Sequence, residues 1–163
     1  MANTQSMCTS FMSELMYGYH QFGAPTLTSR GSLTTPTNDT FKGALYLASA
    51  TLNASTTAYS STDEVTGAGY SAGGVTVTNA VAPTSTNSSA TAGVAYWTPS
   101  ASLTYTSVTL TTAFDTVLIY NSTQGNRAVS VHTFGSQTIT AGTFTLTMPS
   151  NTTTTALLRL STT

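Results

Sequence analysis

From Phe41 onward, hydrophobic and polar residues alternate with the period of two that marks a strand with one buried face. Phe41, Gly43, Leu45 and Leu47 fall on one face, and Val75, Val77 and Val81 alternate with Thr76 and Thr78. Leu103 and Tyr105 face opposite to Val108 and Leu110, so the phase changes near Thr106 and Ser107, where a β-bulge is expected. Phe114 to Tyr120 is apolar enough for a central strand covered on both faces. The polar stretch 121–126 reads as a turn, and Ala128 to Phe134 returns as the second strand of a hairpin. Thr143 to Met148 alternates again, with Phe144, Leu146 and Met148 inward. After a turn at 149–151, Ala156 to Leu160 makes a last strand with Arg159 at its outer end. Eight or nine short strands separated by turn signals predict an all-β fold. The expected form is an antiparallel β-sandwich with jelly-roll topology.

Before Phe41 the period differs. In residues 10–22, Phe11, Leu15, Tyr19 and Phe22 recur at helical spacing with Met12 and Met16 beside them, which predicts a short helix. Thr9 or Ser10 is placed to cap it, and Glu14 falls in its first turn, where a negative charge suits the helix dipole. Gly18 weakens such a helix by about 1 kcal/mol relative to Ala. Residues 1–9 are polar and read as disordered or extended in isolation. Residues 23–40 are rich in Thr, Ser, Pro and Gly without a period, which reads as an extended arm. The chain therefore divides into an N-terminal helix and arm, 1–40, and a β-sandwich domain, 41–163.

Composition narrows the function classes. The 163 residues suit one domain, and charged residues are 6% of them, against roughly 25% in an average globular protein. Thr and Ser, 38 and 21 residues, take the vacated share. Four Lys/Arg and a net charge of −1 cannot neutralise many phosphates, so no nucleic-acid partner is expected. Neither a run of eighteen apolar residues nor a basic amphipathic stretch occurs, so no membrane partner is expected either. The single cysteine, Cys8, rules out an internal disulfide framework and a Cys-rich zinc site. The N-terminus has no charged n-region or apolar h-region, which points away from a signal peptide and toward a reducing cytoplasm. The five Asn-x-Ser/Thr sequons, at Asn38, Asn53, Asn87, Asn121 and Asn151, are expected by chance in such a chain and to stay bare.

A strand surface built from Thr is polar without charge, so a second protein covers it at low desolvation cost. It also lacks the charges that discourage strand edges from pairing. Both features suit a protein that lives packed against others.

The candidate chemical motifs fail on context. Gly69-Tyr70-Ser71-Ala72-Gly73 is a literal G-x-S-x-G, with Asp115 and His132 following in the order of an α/β-hydrolase triad. That chemistry needs the serine on a turn opening a helix, whereas Gly73-Gly74 runs into the strand at Val75. The same glycines lack the helix and the Lys of a phosphate cradle. His20 and His132 have no second His or Cys at ligand spacing. Asp63 and Glu64 are adjacent, so on a strand they would face opposite ways, and a capping or turn role is expected. No catalytic, cofactor-binding or metal-ligating set is therefore assigned. Tyr59, Tyr70, Tyr96, Trp97 and Tyr105 offer one competing binding reading, a carbohydrate groove on the sandwich.

Two segments carry a resemblance: Phe41-Lys-Gly-Ala-Leu-Tyr-Leu through Tyr59 and on to Asp63…Gly74, and Leu118-Ile-Tyr-Asn-Ser-Thr-Gln-Gly-Asn-Arg through Gly135. With the Cys8-Thr-Ser-Phe11…Glu14-Leu15 opening they cover about two-thirds of the chain. They resemble small structural proteins of tailed-bacteriophage virions, of the capsid cement (decoration) type. The resemblance implies a jelly-roll or sandwich domain on the outside of the head, made in the bacterial host cytoplasm. Its implied partners are the major capsid protein and further copies of itself, as a dimer or trimer. Phe11, Leu15, Tyr19 and Phe22 then form the expected capsid or oligomer contact, a hook whose removal (Phe11→Ala with Leu15→Ala) should leave the domain folded. The longer 23–40 arm and the 80–93 stretch depart from the family pattern. The alternatives are another virion part (tail, fibre or head–tail junction) and a carbohydrate-binding attachment module.

Overall fold

The computed structural model of the chain describes residues 2–23, 37–86 and 93–162. Most of the expected arm and residues 87–92 of the 80–93 stretch lie outside them. In chain order the elements are β1 (Ser6–Met7), α1 (Thr9–Met16), β2 (Phe41–Leu47), β3 (Val75–Thr76), β4 (Thr84–Ser85), β5 (Val94–Trp97), β6 (Leu103–Asn121), β7 (Arg127–Leu146) and β8 (Leu158–Ser161). Among the described residues the fold is all-β with one short helix. All pairings are antiparallel, in a five-stranded sheet of order β1-β7-β6-β2-β3 and a three-stranded sheet of order β4-β5-β8.

The β6–β7 hairpin is the frame. Its turn is the expected 121–126 stretch, and its apolar centre at Phe114–Tyr120 is buried between β2 and β7. At 19 and 20 residues these strands are several times the usual length of about 5–6. Of Thr143 to Met148, expected as a separate strand, the part as far as Leu146 is the far end of β7, which stops there. Register shifts interrupt the ladder: Ser107 (φ 53°) sits in the left-handed region at the bulge that the phase change predicts, and Ala141 (φ 47°) at the next shift, opposite Val108 to Leu110. These irregularities let the far half of the ribbon fold back over the near half. Tyr105 Oη donates to the Gly43 carbonyl at 2.8 Å across this layer. A Cβ at Gly43 would lie 2.5 Å from Leu103 Cδ1, so the layers approach this closely only over glycine.

At the other end of the same core, Phe22 stacks on Phe41 (4.5 Å) and meets Trp97 edge-on (4.7 Å). The Trp97 indole N–H donates to the Val81 carbonyl at 2.7 Å. Thus β5 and the chain after α1 close the core where the folded ribbon stops.

The helix is shorter than its periodicity predicts. It ends at Met16 in a Schellman motif: Gly18 (φ 73°) donates to the Leu15 carbonyl and Tyr19 to the Glu14 carbonyl. Gly18 therefore terminates the helix rather than weakening its middle. Cys8, not Thr9 or Ser10, takes the N-cap, without a side-chain hydrogen bond, and Glu14 lies buried beyond the first turn.

Candidate functional site

Five polar side chains from separate parts of the chain meet where the N-terminal segment docks on the hairpin turn. Glu14 of α1 accepts from His20 Nε2 and from the Arg127 guanidinium of β7, both at 2.7 Å. Asn121, at the end of β6, donates one amide hydrogen to Asp39 (2.7 Å), and its Nδ2 lies 3.1 Å from His20 Nδ1. The Asn121 carbonyl oxygen accepts the backbone N–H groups of Thr123 and Gln124, which shapes the turn. Asp39 also accepts from the backbone N–H of Gln21 at 2.9 Å. Phe11, Phe22 and Phe41 pack around the His20 ring. Burial outweighs the neighbouring carboxylates and holds the His20 pKa below its ordinary value. The chain thus uses two of its five carboxylates and one of its two histidines to fasten one segment. The sequence read Asn121 only as the start of a turn. The available signal was a sequence this poor in charge placing Glu14 and His20 six residues apart in an apolar stretch.

This docking divides the expected contact residues. Phe11 (1% exposed) and Phe22 (7%) belong to the chain's own core, and Leu15 is half-buried. Tyr19 is exposed, with the Arg127 guanidinium 4.6 Å from its ring centre. What stands out from the surface is a different set. Met12, Met16, Tyr17 and Tyr19 are four of the five large hydrophobic residues exposed among the described residues, with Met16 89% exposed. Met12 and Met16, four apart, share one ridge of α1. A cleft of about 80 Å³ is lined by Phe11, Leu15 and Trp97 together with Leu158 and Leu160. The fifth exposed residue, Leu160, lines that cleft.

The G-x-S-x-G segment is a turn, as its context indicates, and no triad assembles around it. Asp115 accepts from Asn3 (2.8 Å) and Thr116 (2.7 Å), and His132 pairs instead with the Ser130 hydroxyl two residues away (2.8 Å). Burial lowers the His132 pKa to about 4. Asp63 occupies a turn position at φ 60°. Glu64 does more than the expected turn role. It is buried and accepts from Tyr59 (2.6 Å), Tyr70 (2.7 Å) and the Gly73 N–H (2.7 Å), so it ties the 59–73 segment together. Of the aromatics considered for a sugar groove, Tyr59, Tyr70, Trp97 and Tyr105 pack against rings outside that set or against one another, with the Tyr59 and Tyr70 hydroxyls turned to Glu64. Trp97 packs with Phe22, Tyr70 with Tyr105, and Tyr59 with Tyr120. Among the described residues no group of three His, Cys, Asp or Glu side chains is arranged to hold a metal ion, and no helix is long and apolar enough to cross a membrane.

No protein-family model, curated protein or solved structure matches this chain.

Proposed function

We propose that this chain is a non-enzymatic capsid cement (decoration) protein of a tailed bacteriophage. In this reading it binds the outside of the major capsid shell as a dimer or trimer and stabilises the expanded head. The observation that carries the reading is the concentration of exposed apolar side chains on the N-terminal segment of a charge-poor domain. A patch of Met12, Met16, Tyr17 and Tyr19 supports docking on a partner surface, because methionine and tyrosine give large contact area and adapt to irregular neighbours. The hydroxyl-rich strands around it add lateral contacts with little charge to desolvate. Binding that requires the mature lattice then stabilises that lattice by mass action, multiplied over many sites. A jelly-roll connectivity belongs to the same proposal; a long antiparallel ribbon folded over its own core supports it.

The test is the molar ratio of this chain to the major capsid protein in purified, DNA-filled particles. A ratio near one, or a simple fraction of it, is the expected result. A ratio of a few per cent assigns the chain to a tail, fibre or junction, and absence from particles ends the structural reading.

A further inference from the structure

The polar cluster that fastens the N-terminal segment has its hydrogens fully assigned by its partners. Asn121 is the pivot. Its carbonyl oxygen faces two backbone N–H donors, Thr123 at 3.1 Å and Gln124 at 3.2 Å, and one of its amide hydrogens faces the Asp39 carboxylate at 2.7 Å. All three partners demand the same amide orientation, so the second amide hydrogen points at His20 Nδ1, 3.1 Å away. Nδ1 must then be an unprotonated acceptor, and the imidazole proton sits on Nε2, donated to Glu14 at 2.7 Å. A second proton on His20 has nowhere to go. It would set an N–H donor against the Asn121 amide. Turning that amide over would break the Asp39 contact and oppose the two turn donors at once.

We propose that His20 is a proton-operated latch: protonating Nδ1 breaks its bond to Asn121 and releases the 9–22 segment from the β6–β7 turn. The groups facing the ring are Glu14 from α1, Asp39 from the chain entering β2, Asn121 from β6 and Arg127 from β7, with Phe11, Phe22 and Phe41 closing the rest. The two carboxylates favour the extra proton; Arg127, the Asn121 donor and the apolar surround oppose it. The His20 side chain is fully shielded from water, so protonation requires the segment to lift. A folded-state pKa below the ordinary 6.5 gives docking that is complete above that pH and lost as pH falls below it. Release would uncover Phe11 and Phe22 beside the already exposed Met12 and Met16. The device holds whatever the partner is, so it stands or falls separately from the cement reading.

The decisive measurement is the imidazole ¹⁵N spectrum of the intact protein as a function of pH, with amide exchange protection over 9–22 followed in parallel. The expected result is a neutral Nε2–H tautomer for His20 at pH 7. Protection in 9–22 should fall at least tenfold between pH 7 and pH 5 while that of 114–121 persists. His20→Gln, which keeps a donor for Glu14 but takes no charge, should flatten this profile, and His132→Gln should leave it in place. A doubly protonated or Nδ1–H imidazole at pH 7 overturns the proposal, as does a loss of protection that tracks His132. If His20→Gln does not fold, the wild-type titration decides alone.

Discussion

Phe134 and Phe144 belong to the same strand, ten residues apart, yet their ring centres are 5.3 Å from each other. An extended strand would separate them by about 33 Å. The β6–β7 ribbon is therefore bent double, and the two halves of β7 close on each other through aromatic side chains. Phe114, from β6, meets both rings edge-on, at 6.0 Å and 5.2 Å, and is fully buried. One ring thus joins the near and far halves of a hairpin that would otherwise expose a two-stranded ribbon to water.

Phe114→Ala should for that reason cost about 3–5 kcal/mol, the range for deleting a buried phenylalanine, because the fold-back leaves little freedom to collapse into the gap. Urea denaturation of the purified protein measures it. A loss under 1 kcal/mol would mean that the fold-back does not depend on this contact.

How much of this could be read from the chain depends on the range of each interaction. The two-residue period, the hairpin turn at 121–126 and the bulge near Ser107 are local and were legible. Gly18 was legible as a weak helix position, but its role as terminator needed the Leu15 and Glu14 carbonyls to be seen accepting behind it. The folding of β6–β7 was not legible, since alternation marks a buried face without saying what buries it. In this chain Leu103 covers Gly43 from sixty residues away. The contact residues divided for the same reason. Phe11 and Phe22 are apolar because they fill the core beneath α1, and the periodicity that groups them with Leu15 and Tyr19 cannot separate core from surface.

Two glycines in the left-handed region make a matched pair. Gly74 has φ 71°, and a Cβ there would stand 1.7 Å from the Gly43 carbonyl oxygen; Gly125 has φ 67° and open space around it. Gly125→Ala should cost only the conformational penalty of about 1–2 kcal/mol. Gly74→Ala must also push β2 away from the 71–74 turn and should prevent soluble expression or lower the melting temperature far more. Equal effects would show that the Gly43–Gly74 approach is not a constraint.

Cys8 is fully buried, and burial together with the charge on Glu14 pushes its thiol up to about 12. Its alkylation by iodoacetamide at pH 8 should be at least ~10³-fold slower in the native protein than in urea, since thiolate is the reactive form. Because Cys8 caps α1, the native rate also reports opening of the N-terminal segment. Fast native labelling would show that this segment is undocked in solution.

His132 gives the second acid-sensitive site. Burial holds its pKa near 4, against 6.5 ordinarily, so the folded protein keeps it neutral while the unfolded chain binds a proton. The associated stability is complete above pH 6.5 and is lost as pH falls toward 4, by about 3 kcal/mol at the lower end. Stability measured by urea at pH 7, 5.5 and 4.5 should therefore decline, and His132→Gln should remove the larger part of the decline below pH 5.5. An unchanged slope would place the acid sensitivity elsewhere.

The cement reading makes its sharpest prediction on α1, where core and surface residues alternate within one turn. Phe11→Ala with Leu15→Ala, the substitution that the sequence alone recommends, now confounds two effects, because Phe11 is 1% exposed and its loss should destabilise the domain by about 3–5 kcal/mol. Met12→Ser with Met16→Ser separates them. Both side chains are exposed, so the melting temperature should stay within about 2 °C of wild type, as for surface changes worth under 0.5 kcal/mol. The Kd for particles assembled without the native chain should nevertheless rise at least tenfold, the effect of about 1.4 kcal/mol of lost contact at each site, so that occupancy falls at subsaturating concentrations. An unchanged Kd for the double serine variant would remove α1 from the contact surface. The threonine-rich strand faces would then be the place to look for the capsid interface.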